Sequence, residues 1–202
     1  MRRATTLILA ALMPMAASAA APNASPMPAP STASASAATP SAPATAPSAD
    51  KPLLERALRV DNVLLAPQPT AADFAALQGA GVRRVINLRA TEEMATLGFD
   101  AQAAAEGAGL DYATLPIAGN AAFSPALLDA FAAMMAKGEG DLLLHCASGA
   151  RAGQLYAAWL VREKGLSPQE AMERVAPLGV WPTPMERMLG RPLVIDYAPT
   201  KD

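Results

Sequence analysis

Leu142-Leu143-Leu144-His145-Cys146-Ala147-Ser148-Gly149-Ala150-Arg151-Ala152-Gly153 is the most informative stretch of this 202-residue chain. Three successive leucines have the length and composition of a strand buried on both faces, and the residues from Arg151 onward read as a helix. The stretch is therefore strand, tight glycine-containing loop, helix. It also holds the only cysteine and the only histidine of the protein. Backbone N–H groups of residues 147 to 151 can converge on an oxyanion, and the helix start adds about half an elementary positive charge. Such a site suits phosphate or sulfur-transfer chemistry, with the sulfur at the mouth of the cup.

Outward from this stretch, strands alternate with helices. Residues 62–65 form a short strand candidate ended by Pro67 and Pro69. Thr70 with Asp73 resembles a capping arrangement for a helix that stops at Gly79-Ala80-Gly81. Residues 82–88 read as a strand, 99–108 as an alanine-rich helix and 110–115 as a further strand. Ser124-Pro125 supplies an N-cap and a first-turn proline before the apolar stripe of Leu127, Leu128, Phe131 and Met135. The helix over 150–163 places Leu155, Tyr156, Trp159 and Leu160 on one face, where packing accounts for both aromatic residues. Ser167-Pro168-Gln169-Glu170 opens one more helix with a capping box. Trp181 follows the last clear helix, where it either lines the pocket rim or covers the sheet. The alternation predicts an α/β three-layer sandwich with a mainly parallel central sheet of four to five strands. Ligands in such folds sit at the carboxyl ends of the strands, where residues 145 to 151 lie.

Arg2 and Arg3 precede an apolar segment over 5–17 that ends in Ala17-Ser18-Ala19, the pattern of a secretory signal peptide over 1–19. Its apolar run is broken by Pro14 and is shorter than the roughly 20 residues a membrane span needs. The expectation is a periplasmic or secreted protein without stable membrane insertion after cleavage. Residues 20–50 collapse to Ala, Pro, Ser and Thr and read as a disordered linker. Residues 51–202 make one domain of ordinary size. Without Arg2 and Arg3 the chain carries 14 basic against 18 acidic residues, a formal charge of −4. That balance argues against nucleic acid as a partner. Cys146 has no intrachain partner, and in an exported protein a lone cysteine is buried and inert, paired with another chain, or reactive.

Three stretches carry a resemblance. They are Ala66-Pro67-Gln68-Pro69-Thr70, Val85-Ile86-Asn87-Leu88-Arg89, and His145-Cys146-Ala147-Ser148-Gly149-Ala150-Arg151. On these the chain resembles the beta-lactamase hydrolase-like protein phosphatase-like family, within the cysteine-dependent tyrosine and dual-specificity phosphatase superfamily. The resemblance implies a cysteine phosphatase-like fold and two-step hydrolysis of a phosphoric monoester of unknown identity. Cys146 would attack phosphorus and Arg151 would clamp the equatorial oxygens. The loop from Ala147 through Ser148 and Gly149 to Ala150 would complete the cradle, and Arg89 would contact substrate from the end of its strand. His145 would support the loop through hydrogen bonds. No cofactor and no metal are implied. A helix start and a nearby guanidinium lower a cysteine pKa from about 8.5 toward 3.5–7.5.

Three features depart from the superfamily pattern. Four residues rather than five separate Cys146 from Arg151, a spacing shared by the beta-lactamase hydrolase-like branch; rhodanese-type sulfurtransferases also use a short loop. Ala152 stands where a hydroxyl often helps the cysteine to leave. The loop over 115–123 contains no carboxylate to serve as general acid, which leaves Glu92, Glu93 or Asp100 on the neighbouring loop as candidates. The alternatives are a rhodanese-like sulfurtransferase and a non-catalytic anion-binding domain.

Overall fold

A computed structural model describes residues 51–195; the expected signal segment and the linker lie outside the described residues. Five strands form one sheet: β1 (Leu58–Val60), β2 (Val63–Ala66), β3 (Val82–Asn87), β4 (Asp111–Thr114) and β5 (Asp141–His145). Their order is β1-β2-β5-β3-β4. Only β1 runs antiparallel, paired with β2 through a tight turn at Asp61, whose φ is +54°. The other neighbours are parallel.

The centre of the sheet explains the leucine run. β5 is hydrogen-bonded on both sides, to β2 and β3. Leu142, Leu144 and Cys146 enter one apolar core, and Leu143 enters the core on the opposite face. All three leucines are fully buried. Each contributes about 2 kcal/mol through that burial, so the strand bearing the loop is held from both faces.

Eight helices flank the sheet among the described residues. α1 (Leu53–Arg56), α2 (Asp73–Gly79), α3 (Thr91–Met94) and α4 (Ala101–Gly107) occupy the first half of the chain. α5 (Pro125–Ala136), α6 (Ala150–Lys164), α7 (Pro168–Val175) and α8 (Pro182–Leu189) follow. The predicted caps of α5 and α7 are present, whereas at α2 the Thr70 amide and hydroxyl both donate to Asp73 Oδ2 at 2.8 Å and the N-cap residue, Ala72, makes no side-chain cap. Ser124 Oγ accepts from the Leu127 amide at 3.2 Å, and Ser167 and Glu170 close a reciprocal capping box. α6 differs from its predicted one-sided stripe, because residues 152–161 are buried all round. α5, α7 and α8 pack around it, and Gly153 admits the segment that joins α7 to α8. A Cβ at Gly153 would stand 2.9 Å from both Leu178 and Val180. Trp159 stacks on Tyr156 at 5.4 Å and meets Phe131 edge-on at 6.4 Å, so core packing does account for these aromatic residues. None of the described helices is long and apolar enough to cross a membrane.

Candidate active site

The loop after β5 is suspended from its neighbouring strands by main-chain bonds. The Cys146 amide donates to the Ala66 carbonyl at 3.3 Å, and the Leu88 amide donates to the His145 carbonyl at 2.9 Å. The Gln68 amide donates to the Ala147 carbonyl at 3.2 Å. Gly149 then turns the chain into α6 with φ +97°, a conformation that L side chains rarely adopt. A Cβ there would also meet Leu178 at 3.2 Å and the Ala66 carbonyl carbon at 3.5 Å. Glycine is thus required on two counts.

The result is an anion cradle. Among the described residues, no acceptor takes the amides of Ala147, Ser148 or Arg151, and the Ala150 amide reaches only Ser148 Oγ, at 3.5 Å. Ala147 and Ser148 are exposed, so the donors at the loop crest open to solvent. The positive end of a 15-residue helix lies directly behind them. Cys146 sits elsewhere than expected: it forms the floor of the cup, only 1% exposed, and the Gly149 amide donates to its Sγ at 3.1 Å. The short loop folds Gly149 back over the sulfur, and Leu178 packs on Gly149 from outside.

Arg151 is held by Glu93. Its Nη1 and Nη2 donate to the two Glu93 carboxylate oxygens at 2.7 Å each, and Nη1 also donates to the Ile117 carbonyl at 2.9 Å. These bonds occupy three of the five guanidinium N–H groups. The remaining two, on Nε and Nη2, are adjacent and form a second bidentate fork. The pKa of Arg151 is raised, first by its bond to Glu93 and in smaller part by the nearby Cys146 sulfur. The Glu93 pKa is lowered to about 2, chiefly by that same bond and further by the Ala90 amide, which donates to Oε2 at 2.9 Å. Glu93 is therefore an ionised anchor and not a general acid.

The other expected residues are placed as follows. Arg89 donates to Gln68 Oε1 at 2.9 Å and to the Glu93 carbonyl at 3.1 Å, and its Nε stands 3.7 Å from Glu93 Oε1. Its guanidinium thus braces the wall of the site. His145 is fully buried, and neither ring nitrogen has a hydrogen-bond partner. The expected loop support comes from its main-chain carbonyl instead. Side chains alternate along β5, so a ring next to Cys146 must face the opposite side of the sheet. Burial lowers its pKa to about 3, which the adjacent Cys146 backbone offsets only in part, so the ring stays neutral. Asp100 caps α4 through the Ala103 amide at 3.0 Å, and Glu92 is exposed. The Glu93–Arg151 pair is almost invisible in the sequence. Its only trace is a glutamate three residues after Ala90, the N-cap residue of α3, which lacks the side chain of a recognisable capping box.

Both shifted groups predict acid lability, in separate windows. Each folded pKa lies below its unfolded value, so the associated stability is present at higher pH and is lost as pH falls. For His145 the loss begins near pH 6.5 and runs toward 3; for Glu93 it begins near 4.5 and runs toward 2. Thermal melts from pH 7.5 to 4.5 should show Tm falling below pH 6.5, and His145→Phe should flatten that limb. An unchanged limb in the variant contradicts the assignment.

The family model described as beta-lactamase hydrolase-like protein, phosphatase-like domain, matches residues 56–161. The beta-lactamase hydrolase-like protein of Xylella fastidiosa is 40% identical over 99 residues, 48% of this chain and 23% of that protein. Its counterpart from Agrobacterium fabrum is 38% identical over 104 residues, 50% of this chain and 24% of that one. The match thus spans about a quarter of the length of these curated relatives. Among solved structures, PTPMT1 superposes with a TM-score of 0.54 at 24% identity, covering 65% of this chain and 90% of that one. Tk-PTP in its active form gives 0.52 at 21%, covering 67% and 94%. These likenesses establish a cysteine phosphatase-like fold.

Proposed function

The chain belongs to the family of beta-lactamase hydrolase-like protein phosphatase-like domains, and on that premise we propose that it is an exported cysteine-dependent phosphatase of phosphoric monoesters. The observation that carries the reading is the cradle itself: unpartnered loop amides at a helix start, a sulfur on its floor, and an anchored guanidinium with one fork free. A phosphoryl group seated there presents its equatorial oxygens to the amides and to Arg151 Nε and Nη2. The Cys146 thiolate forms the S–P bond as the ester P–O bond breaks. Water then attacks phosphorus, releasing phosphate and restoring the thiolate. Positioning and charge stabilisation supply most of the catalysis, because a phosphoryl group passes through a loose transition state. The Gly149 amide stabilises the thiolate before attack and as it leaves.

Leaving-group protonation is the weak step. The segment between β4 and α5 carries no carboxylate, and Glu93 is committed to Arg151. A positioned acid is worth about 10²- to 10⁴-fold. The full chain should therefore hydrolyse p-nitrophenyl phosphate at least ~10²-fold faster than glycerol 2-phosphate, and form no thiocyanate from thiosulfate and cyanide. Thiocyanate release would replace this reading with a rhodanese-like one. One observation favours a second reading, a non-catalytic anion-binding domain: the sulfur is only 1% exposed. Absence of any hydrolysis, with phosphate still raising the melting temperature, would select it.

A further inference from the structure

One unbroken chain of contacts runs around the cradle. The Gln68 amide donates to the Ala147 carbonyl at 3.2 Å, and the Gln68 side chain accepts from Arg89 Nη1 at 2.9 Å. Arg89 Nη2 donates to the Glu93 carbonyl at 3.1 Å, and its Nε faces Glu93 Oε1 at 3.7 Å. Glu93 in turn takes both Nη atoms of Arg151. Ala147 and Arg151 are the two ends of the loop that follows Cys146, so the contacts close on themselves through that loop. Arg89 is the middle link: one side of its guanidinium leads to the amide crest, the other to the phosphate-binding fork.

Each link fixes a direction. A peptide unit is planar and trans, so holding the Ala147 carbonyl toward Gln68 turns the Ser148 N–H the opposite way. Gln68 stands between two buried prolines, Pro67 and Pro69, whose rings fix their backbone, and its Nε2 donates to the Pro69 carbonyl at 3.0 Å. That bond settles which way the side-chain amide is turned, with Oε1 toward Arg89. At the other end Glu93 is a shared anchor, kept ionised first by Arg151 and in smaller part by the charge of Arg89. A carboxylate between two guanidinium groups leaves positive charge in excess beside the cradle; paired with Arg151 alone it would leave none. The Arg89 side chain is itself only 12% exposed, and each of its nitrogens faces a protein acceptor, so little of it is left to touch a ligand.

We propose that Arg89 is a positioning residue, which directs the loop donors through Gln68 and the Arg151 fork through Glu93, and not the substrate contact that its place at a strand end suggests. The proposal rests on the phosphatase reading of the cradle. The role is geometric, and a misplacement of about 1 Å in such a site costs about 10²-fold in rate. Lysine at the position keeps the charge but offers one ammonium in place of a fork.

Steady-state hydrolysis of p-nitrophenyl phosphate by the full-length Arg89→Lys protein, joined to a titration with inorganic phosphate, tests it. kcat should fall about 10²-fold while KM and phosphate affinity stay within about threefold, because the charge that draws the anion remains. Gln68→Met breaks the same chain without altering a charge and should lower kcat about tenfold, the worth of one charge-assisted hydrogen bond, again with KM kept. Added to Arg89→Met, which ends both contacts, Gln68→Met should cost nothing more, since the two residues act as one link. A kcat kept in Arg89→Lys or in Gln68→Met, losses that multiply in the double variant, or phosphate binding weakened about tenfold in Arg89→Lys overturns the proposal and leaves the cradle standing. An unaltered protein that binds phosphate but hydrolyses no ester overturns the phosphatase reading itself, and the positioning role with it.

Discussion

Cys146→Ser is expected to lower kcat/KM for p-nitrophenyl phosphate by about 10⁴-fold or more while phosphate still binds. The serine oxygen inherits the position of the sulfur on the cradle floor, beneath the Gly149 amide, so the anion site keeps its shape. What is lost is a nucleophile that one amide and a helix start can stabilise as an anion. A hydroxyl gains little from the same surroundings, and among the described residues no base is placed to take its proton: the only histidine lies on the opposite face of the sheet, buried and neutral. The outcome is checked by steady-state kinetics together with a phosphate titration. Retained hydrolysis in the serine variant would remove Cys146 from the reaction.

Arg151→Lys should cost about 10³-fold in kcat/KM, the scale on which a guanidinium stabilises a phosphoryl-transfer transition state. Lysine keeps the charge but has one ammonium where the native residue has two forks. In the native site one fork meets Glu93 and Ile117 and the other is left for phosphate; a single ammonium cannot meet both demands. Glu93→Gln provides the matching control. It preserves shape but removes the charge that fixes the guanidinium, so the loss should fall on kcat more than on KM, since an unanchored arginine still attracts the anion. A loss confined to a raised KM, with kcat unchanged, would show that Glu93 does not position Arg151.

Much of this was legible from one contiguous stretch. Three leucines ahead of His145 announce a doubly buried strand, and glycine before a helix announces the turn, because both signals depend on neighbouring residues alone. The capping pairs at Ser124 and Ser167 were legible for the same reason. Features built from distant residues were not. Glu93 lies 58 positions from Arg151, on a four-residue helix with no side-chain cap. The burial of Cys146 depends on how Ala66 and Leu178 close around Gly149. α6 looked one-sided because alanine and glycine carry little apolar signal, though three helices surround it. β1 is only three residues long, and α8 begins with Pro182 and Pro184, which read as breakers but are tolerated in a first helical turn. The alternation of side chains along β5 did contain the position of the His145 ring: a residue adjacent to the nucleophile in a strand cannot share its face.

In the proposed reaction sulfur, and no other atom of this chain, takes the phosphoryl group. Rapid denaturing quench of the full-length protein turning over ³²P-labelled p-nitrophenyl phosphate reads that transfer out. Up to one label per chain is expected, on the peptide containing Cys146, and none in Cys146→Ser. Label on any other residue, or steady release of phosphate with no labelled protein at any quench time, would contradict it.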